Sequence, residues 1–194
     1  FFGAIGFLSK YLFVYLLFSV VLLFLYFIYI KKTKRFDFKY LISIEVFVVL
    51  LVPHLIWLID NDYVTLTYGL KRTGLETSNF FDHIKFPIIF LLKQLTLLIP
   101  FLVLIKFLTK DLKYKINFKD KKLSFLIFIC IIPILLMLAT SIITGSKIRT
   151  MWMTPFYLFF GVLFVYIFQS QIDLKKLRLF LCGFFFLFFL SPIL

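Results

Sequence analysis

Apolar runs long enough to cross a bilayer alternate along this chain with short polar gaps, and every second gap is crowded with Lys and Arg. A crossing helix needs about 20 apolar residues at a rise of about 1.5 Å each. Six runs meet or approach that length: residues 11–30 (preceded by an apolar stub, 1–8), 40–59, 86–105, 123–143, 155–168 and 177–194. The pattern predicts an all-α, polytopic transmembrane helix bundle of about six spans, forming a single transmembrane domain over residues 1–194. Composition agrees. Hydrophobic residues make up 63% of the chain, 30 residues are Phe, and charged residues are 16%, against about 25% in soluble domains. A water-soluble fold of this size has no interior large enough for that apolar surface.

The charges orient the bundle. The gap after the first run holds Lys31, Lys32, Lys34, Arg35 and Lys39. The gap after the third holds Lys106, Lys110, Lys113, Lys115, Lys119, Lys121 and Lys122, and the gap after the fifth holds Lys175, Lys176 and Arg178. Together these gaps contain 15 of the 22 basic residues. They alternate regularly, so they share a side, and the positive-inside rule makes that side cytoplasmic. Their distribution accounts for the net charge of +13 through orientation and attraction to anionic head groups, and excludes nucleic acid as the partner. The expected location is a bacterial inner (plasma) membrane, with membrane lipids as partners.

Two gaps break the basic pattern and are expected on the outer side. The longer, about residues 60–85, mixes Asp60, Asp62, Glu76 and Asp82 with Lys71, Arg72 and Lys85. It has turn chemistry at Asp60-Asn61-Asp62 and at Gly74, and residues 63–73 are expected to form a short interfacial helix. The shorter gap reads Gly145-Ser146-Lys147-Ile148-Arg149-Thr150-Met151-Trp152. Lys147 and Arg149 run against the charge bias there, and Arg grips phosphate bidentately. Lys10, at the outer end of the first span, and the pair Lys71 and Arg72 add outward cations from two further places. If these converge, they form an anion site at the outer face.

Other candidate side chains sit within or beside the spans. His54 and Trp57 are three residues apart on one helical face, just after Pro53, and are suited either to interfacial anchoring or to holding a sugar by stacking and hydrogen bonding. Lys93 and Glu45 are charges inside apolar runs, which cost roughly 2.5–3.5 kcal/mol each and usually face a bundle interior or cavity. Lys93 is within reach of a lipid-linked phosphate; Glu45 is too far from it in depth to pair with it. Cys130 and Cys182 lie in apolar runs without metal-ligand spacing. The chain has no Walker loop, HExxH, Gly-x-Ser-x-Gly or CxxC motif. No cofactor is indicated; a divalent metal is compatible with the chemistry below but nothing in these residues points to one.

Three segments resemble the bacterial membrane glycosyltransferases of family 39, the dolichyl-phosphate-mannose-protein mannosyltransferase-like group that includes the aminoarabinose transferases. They are Gly3-x-x-Gly6-Phe7-Leu8-Ser9-Lys10-Tyr11; residues 52–58 around Pro53-His54 and Trp57, with Asn61-Asp62-Tyr63 and Tyr68; and residues 145–155. The resemblance implies a GT-C type of fold with an extracytoplasmic active site. It implies direct, inverting transfer of a sugar from a polyprenyl-phosphate donor to a lipid, glycan or protein acceptor. In that family the catalytic carboxylates lie in an earlier outer loop, so Asp60 and Asp62 do not inherit the role. The chain, which opens on Phe1 and closes inside an apolar run, reads as an internal piece that supplies lipid-binding helices and cavity wall and is inactive alone. On this reading Lys10, His54, Trp57, Lys71, Arg72, Lys93, Lys147 and Arg149 are the substrate- or lipid-phosphate-binding candidates. A transporter or flippase segment and a non-catalytic membrane scaffold are the competing readings.

Overall fold

A computed structural model describes residues 1–33, 36–74, 79–110 and 120–190. Lys34, Arg35, Glu76, Lys113, Lys115, Lys119 and the last four residues of the sixth apolar run lie outside the described residues. What is described is helical, and its only bridge is an isolated antiparallel one between Thr109 and Ile172. The elements are α1 (Phe2–Ser9), α2 (Val14–Leu25), α3 (Lys39–Asp60), α4 (Val64–Thr73), α5 (Asp82–Leu108), α6 (Lys121–Thr144), α7 (Phe160–Phe168) and α8 (Leu177–Leu190).

Among the described residues, four helical stretches are long and apolar enough to cross a membrane: Tyr11–Ile30, Lys39–Asp60, Asp82–Leu108 and Lys121–Thr144. A fifth crossing is available if the 3-10 segment Thr150–Tyr157 and α7, bent by 49° against each other, act as one broken span. This corrects the expectation of six. The sixth run is helical for only 14 described residues, about 21 Å at 1.5 Å per residue, short of the roughly 30 Å hydrocarbon core. Pro155, which lacks a backbone donor and sits inside the 3-10 segment, marks the region where the fifth run loses regular helix.

The apolar stub and the first span form a tight hairpin. α1 ends at Lys10, which takes an extended conformation (φ −159°, ψ 117°), and a 3-10 turn at Tyr11–Phe13 leads into α2. Gly6 permits the close approach: a Cβ there would lie 2.5 Å from the Phe13 ring. The glycines of this segment therefore have a packing reason, since Gly3 also faces Leu17 closely. α2 packs on α6, and α6 packs on α5 and α7. Leu123, Leu126, Cys130, Phe160 and Leu163 form one buried cluster, and Phe90, Met137, Met153 and Phe156 another. α3 stands at the flank against α1, with only Leu51 and Leu58 buried. Elsewhere large apolar side chains point outward, as at Ile143, which is 75% exposed; lipid tails are the solvent that tolerates such a surface.

The bundle has two chemically distinct ends. At one, the three basic gaps meet. Lys110 N–H donates to the Gln171 carbonyl at 3.0 Å, Asp173 N–H to the Leu108 carbonyl at 3.0 Å, and Lys176 Nζ to the Thr109 carbonyl at 3.1 Å. Phe27 and Thr33 border a hollow shared with Lys121, Lys122 and Tyr166. Tyr166 donates its O–H to Asp120, whose carboxylate also caps α6 through Lys122 N–H. That hydrogen bond from Tyr166, helped by Lys122, holds the Asp120 carboxyl below its ordinary value. The basic gaps thus share one side, as their spacing requires.

Candidate functional site

The opposite end is built by two chain reversals. After α3, Asp62 and Tyr63 both adopt left-handed backbone (φ 50° and 53°), a conformation that Asp tolerates better than a bulky residue does. Tyr63 N–H reaches back to the Leu58 carbonyl at 2.8 Å, and Asn61 Nδ2 to the Trp57 carbonyl at 2.8 Å. The turn lays down α4, a short helix over the expected stretch that begins at Val64, one residue later than predicted. α4 ends at Gly74 in left-handed geometry (φ 70°), the usual glycine stop. Lys71 and Arg72 occupy its last turn, where the helix dipole favours cations.

The second reversal follows α6 at Gly145 (φ 65°). Ser141 Oγ donates to the Ser146 carbonyl at 2.8 Å and Thr144 Oγ1 to Ser146 Oγ at 2.8 Å, with Ser146 buried. The next residue, Lys147, donates its N–H to the Thr73 carbonyl at 2.9 Å. The small hydroxyl residues therefore pin the loop, and the backbone bond fastens it to α4.

Between these segments and α5 lies a cavity of about 700 Å³, lined by Lys71, Arg72, Lys93, Lys147 and Arg149 with Asp82 and Phe86. Asp82, Phe86 and Lys93 are spaced i, i+4, i+11, so they share one face of α5. Arg72 is oriented by its own helix: Nη1 donates to Tyr68 Oη at 3.1 Å and the guanidinium lies 5.4 Å from the Tyr68 ring centre. Five of the eight candidates from sequence thus converge.

Lys10, His54 and Trp57 do not line that cavity. They border a second one of about 430 Å³ with Tyr11 and Thr65. Tyr11 Oη lies 2.8 Å from His54 Nε2 and 2.8 Å from Thr65 Oγ1, hydrogen-bonding both. His54 and Trp57 share a face as predicted and stack, with ring centres 5.7 Å apart and 14° between planes. A groove of about 590 Å³ runs along α4 between the two, touching Lys10, Tyr11 and Thr65 at one end and Arg72 and Thr73 at the other, with Tyr68 and Trp152 on its walls. The expected single anion site is therefore a cation-lined compartment and an aromatic one, joined by a groove.

Thr65 and Phe86 were missed from sequence; neither residue type stands out in an interfacial or apolar run. Glu45 sits on the exposed surface of α3 and lines neither cavity. Gln94, next to Lys93, is buried (3% exposed), and its side-chain oxygen accepts from Tyr157 O–H while Nε2 has no partner among the described residues. Among the described residues no group of three or more His, Cys, Asp or Glu comes together as a metal site.

The fold and charge segregation define the class: an all-helical integral membrane protein with a polar site at the end away from its basic loops. No family model, curated protein or solved structure matches the chain.

Proposed function

We propose that this chain is part of an integral-membrane glycosyltransferase, which moves a sugar from a polyprenyl-phosphate donor to a lipid, glycan or protein acceptor on the extracytoplasmic side. The observation that carries the reading is the convergence of Lys71, Arg72, Lys93, Lys147 and Arg149 on one cavity at the end of an apolar bundle. A lipid-linked phosphate needs cations at head-group level beside an apolar surface that accepts its tail. In displacement at the anomeric carbon, the bond to the phosphate oxygen breaks and negative charge grows on the leaving phosphate. Cations already aimed at that position stabilise the transition state more than the ground state. The neighbouring aromatic compartment, with Trp57, His54, Tyr11 and Thr65, offers stacking and hydroxyl contacts of the kind a sugar ring uses. The catalytic base is assigned to none of these residues.

The test is sugar transfer by the full-length enzyme in proteoliposomes, from a defined polyprenyl-phosphate sugar. Arg149→Ala is expected to lower kcat/KM by roughly 100-fold, the scale for losing one transition-state charge contact. Unchanged kinetics would remove Arg149 and the cavity from the reaction.

A transporter or flippase draws support from one feature, the 49° break between Thr150–Tyr157 and α7, since transporters use broken helices beside their binding sites. Movement of an intact lipid-linked substrate without transfer of its sugar would favour that reading.

A further inference from the structure

We infer that the ligand of the cation-lined cavity carries two anionic groups, a second phosphate or carboxylate in addition to the donor phosphate; the inference rests on the phosphate-binding reading above. Charge is the first ground. Among the described residues, five cations line the cavity against one carboxylate, Asp82. Asp82 Oδ2 is already engaged by Asn79 N–H at 2.9 Å in the turn that opens α5. Among the described residues none of the five cations forms an ion pair; the ion pair found, Lys110 with Asp173, is at the other end of the bundle. A donor phosphodiester carries one negative charge, and the phosphate monoester that leaves carries about 1.5 to 2. Both fall short of the positive charge assembled here.

Shape is the second ground. Lys71, Arg72, Lys147 and Arg149 come from the two reversals at the rim, whereas Lys93 stands eleven residues into α5 from Asp82, about 16 Å along the helix axis. The cavity thus draws its cations from three segments: the end of α4, the loop after α6, and α5. Cations brought from three segments suit two anionic groups, on one ligand or on two ligands bound side by side. The second anion is either a second phosphate of a diphosphate-linked donor or an acidic group of the acceptor.

The test is calorimetric titration of the full chain in nanodiscs with inorganic phosphate and with inorganic pyrophosphate at matched ionic strength. Pyrophosphate is expected to bind at least about tenfold more tightly, the scale of one added charge-assisted contact. Lys93→Gln should lower pyrophosphate affinity more than phosphate affinity and so erase most of that preference, and Lys93→Arg should restore it. Lys93 is exposed, and an unchanged unfolding midpoint would show that the variants fold. Equal affinity for the two anions would overturn the inference and leave the phosphate-binding reading standing; failure of both to bind would overturn both. Farnesyl phosphate and farnesyl diphosphate then separate the two sources. Diphosphate binding that excludes added inorganic phosphate puts both anions on the donor. Farnesyl phosphate binding together with inorganic phosphate puts the second on the acceptor.

Discussion

Lys147 donates its backbone N–H to the carbonyl of Thr73 across 2.9 Å, and through that bond the loop after α6 is fastened to the end of α4. The contact matters because each partner carries cations into the same cavity: Lys71 and Arg72 just before Thr73, Lys147 itself and Arg149 beyond it. A backbone bond sets their register without using any charged side chain. Lys147→Pro removes the donor and should let the segments part; Lys147→Gln removes only the charge. Spin labels at Leu70 and Met151, both exposed, are expected to show a broadened distance distribution in the proline variant and an unchanged one in the glutamine variant. Both variants should weaken phosphate binding, the glutamine variant by roughly tenfold.

Buried Gln94 and half-buried Tyr157 form a polar pair between α5 and the 3-10 segment before α7. Tyr157→Phe removes the hydrogen bond to the buried Gln94 amide and is expected to cost about 1–3 kcal/mol of stability. Gln94→Leu alone orphans the tyrosine hydroxyl and should also destabilise. The double substitution removes both polar groups and should recover most of the loss, because two apolar groups of similar shape need no partners. Unfolding midpoints of the four proteins in one detergent give the coupling energy; additive losses would show that the pair is not coupled.

Acid should loosen the basic end first. The folded-state pKa of Asp120 is lowered, chiefly by the Tyr166 hydrogen bond. Its contribution to stability is therefore present above its unfolded pKa and is lost as pH falls through the folded one. In Tyr166→Phe the principal cause of the lowering is gone, so that contribution should shrink and the variant's stability should depend less on Asp120 at acid pH. Thermal unfolding between pH 3 and pH 7, compared with Asp120→Asn, checks this; a Tyr166→Phe profile identical to that of the parent would remove the hydrogen bond from the account.

The two ends should also lie on opposite sides of the membrane. Single cysteines at Lys110 and Lys175, both exposed at the basic end, should be protected from an impermeant thiol reagent in intact cells. Cysteines at Leu70 and Met151 should react. The reverse pattern would invert the orientation and put the cation-lined cavity in the cytoplasm.

Much of this was legible in the sequence because it depends on local, additive properties. Run length and apolarity identified the four spans through α6, and the alternation of Lys-rich gaps correctly grouped residues 31–33, 109–110, 120–122 and 171–176 at one end. Turn residues at Asp60-Asn61-Asp62 and at Gly74 bracketed α4, and three-residue spacing put His54 and Trp57 on one face. The sixth span was not secured, because an apolar run reports the chance to be helical and not how far the helix extends.

What only the tertiary structure decided is which cations meet. Lys10 and Arg149 look alike from sequence, both basic and both at the same end of a span. The hairpin closed by Gly6 against Phe13 carries Lys10 to His54 and Trp57, and the bond from Lys147 to Thr73 carries Arg149 to Lys71 and Lys93. Composition and periodicity determine that a segment crosses the membrane and which end of it is polar. The rotation of each helix and the ties between loops decide where its side chains converge, and these depend on contacts between residues far apart in the chain.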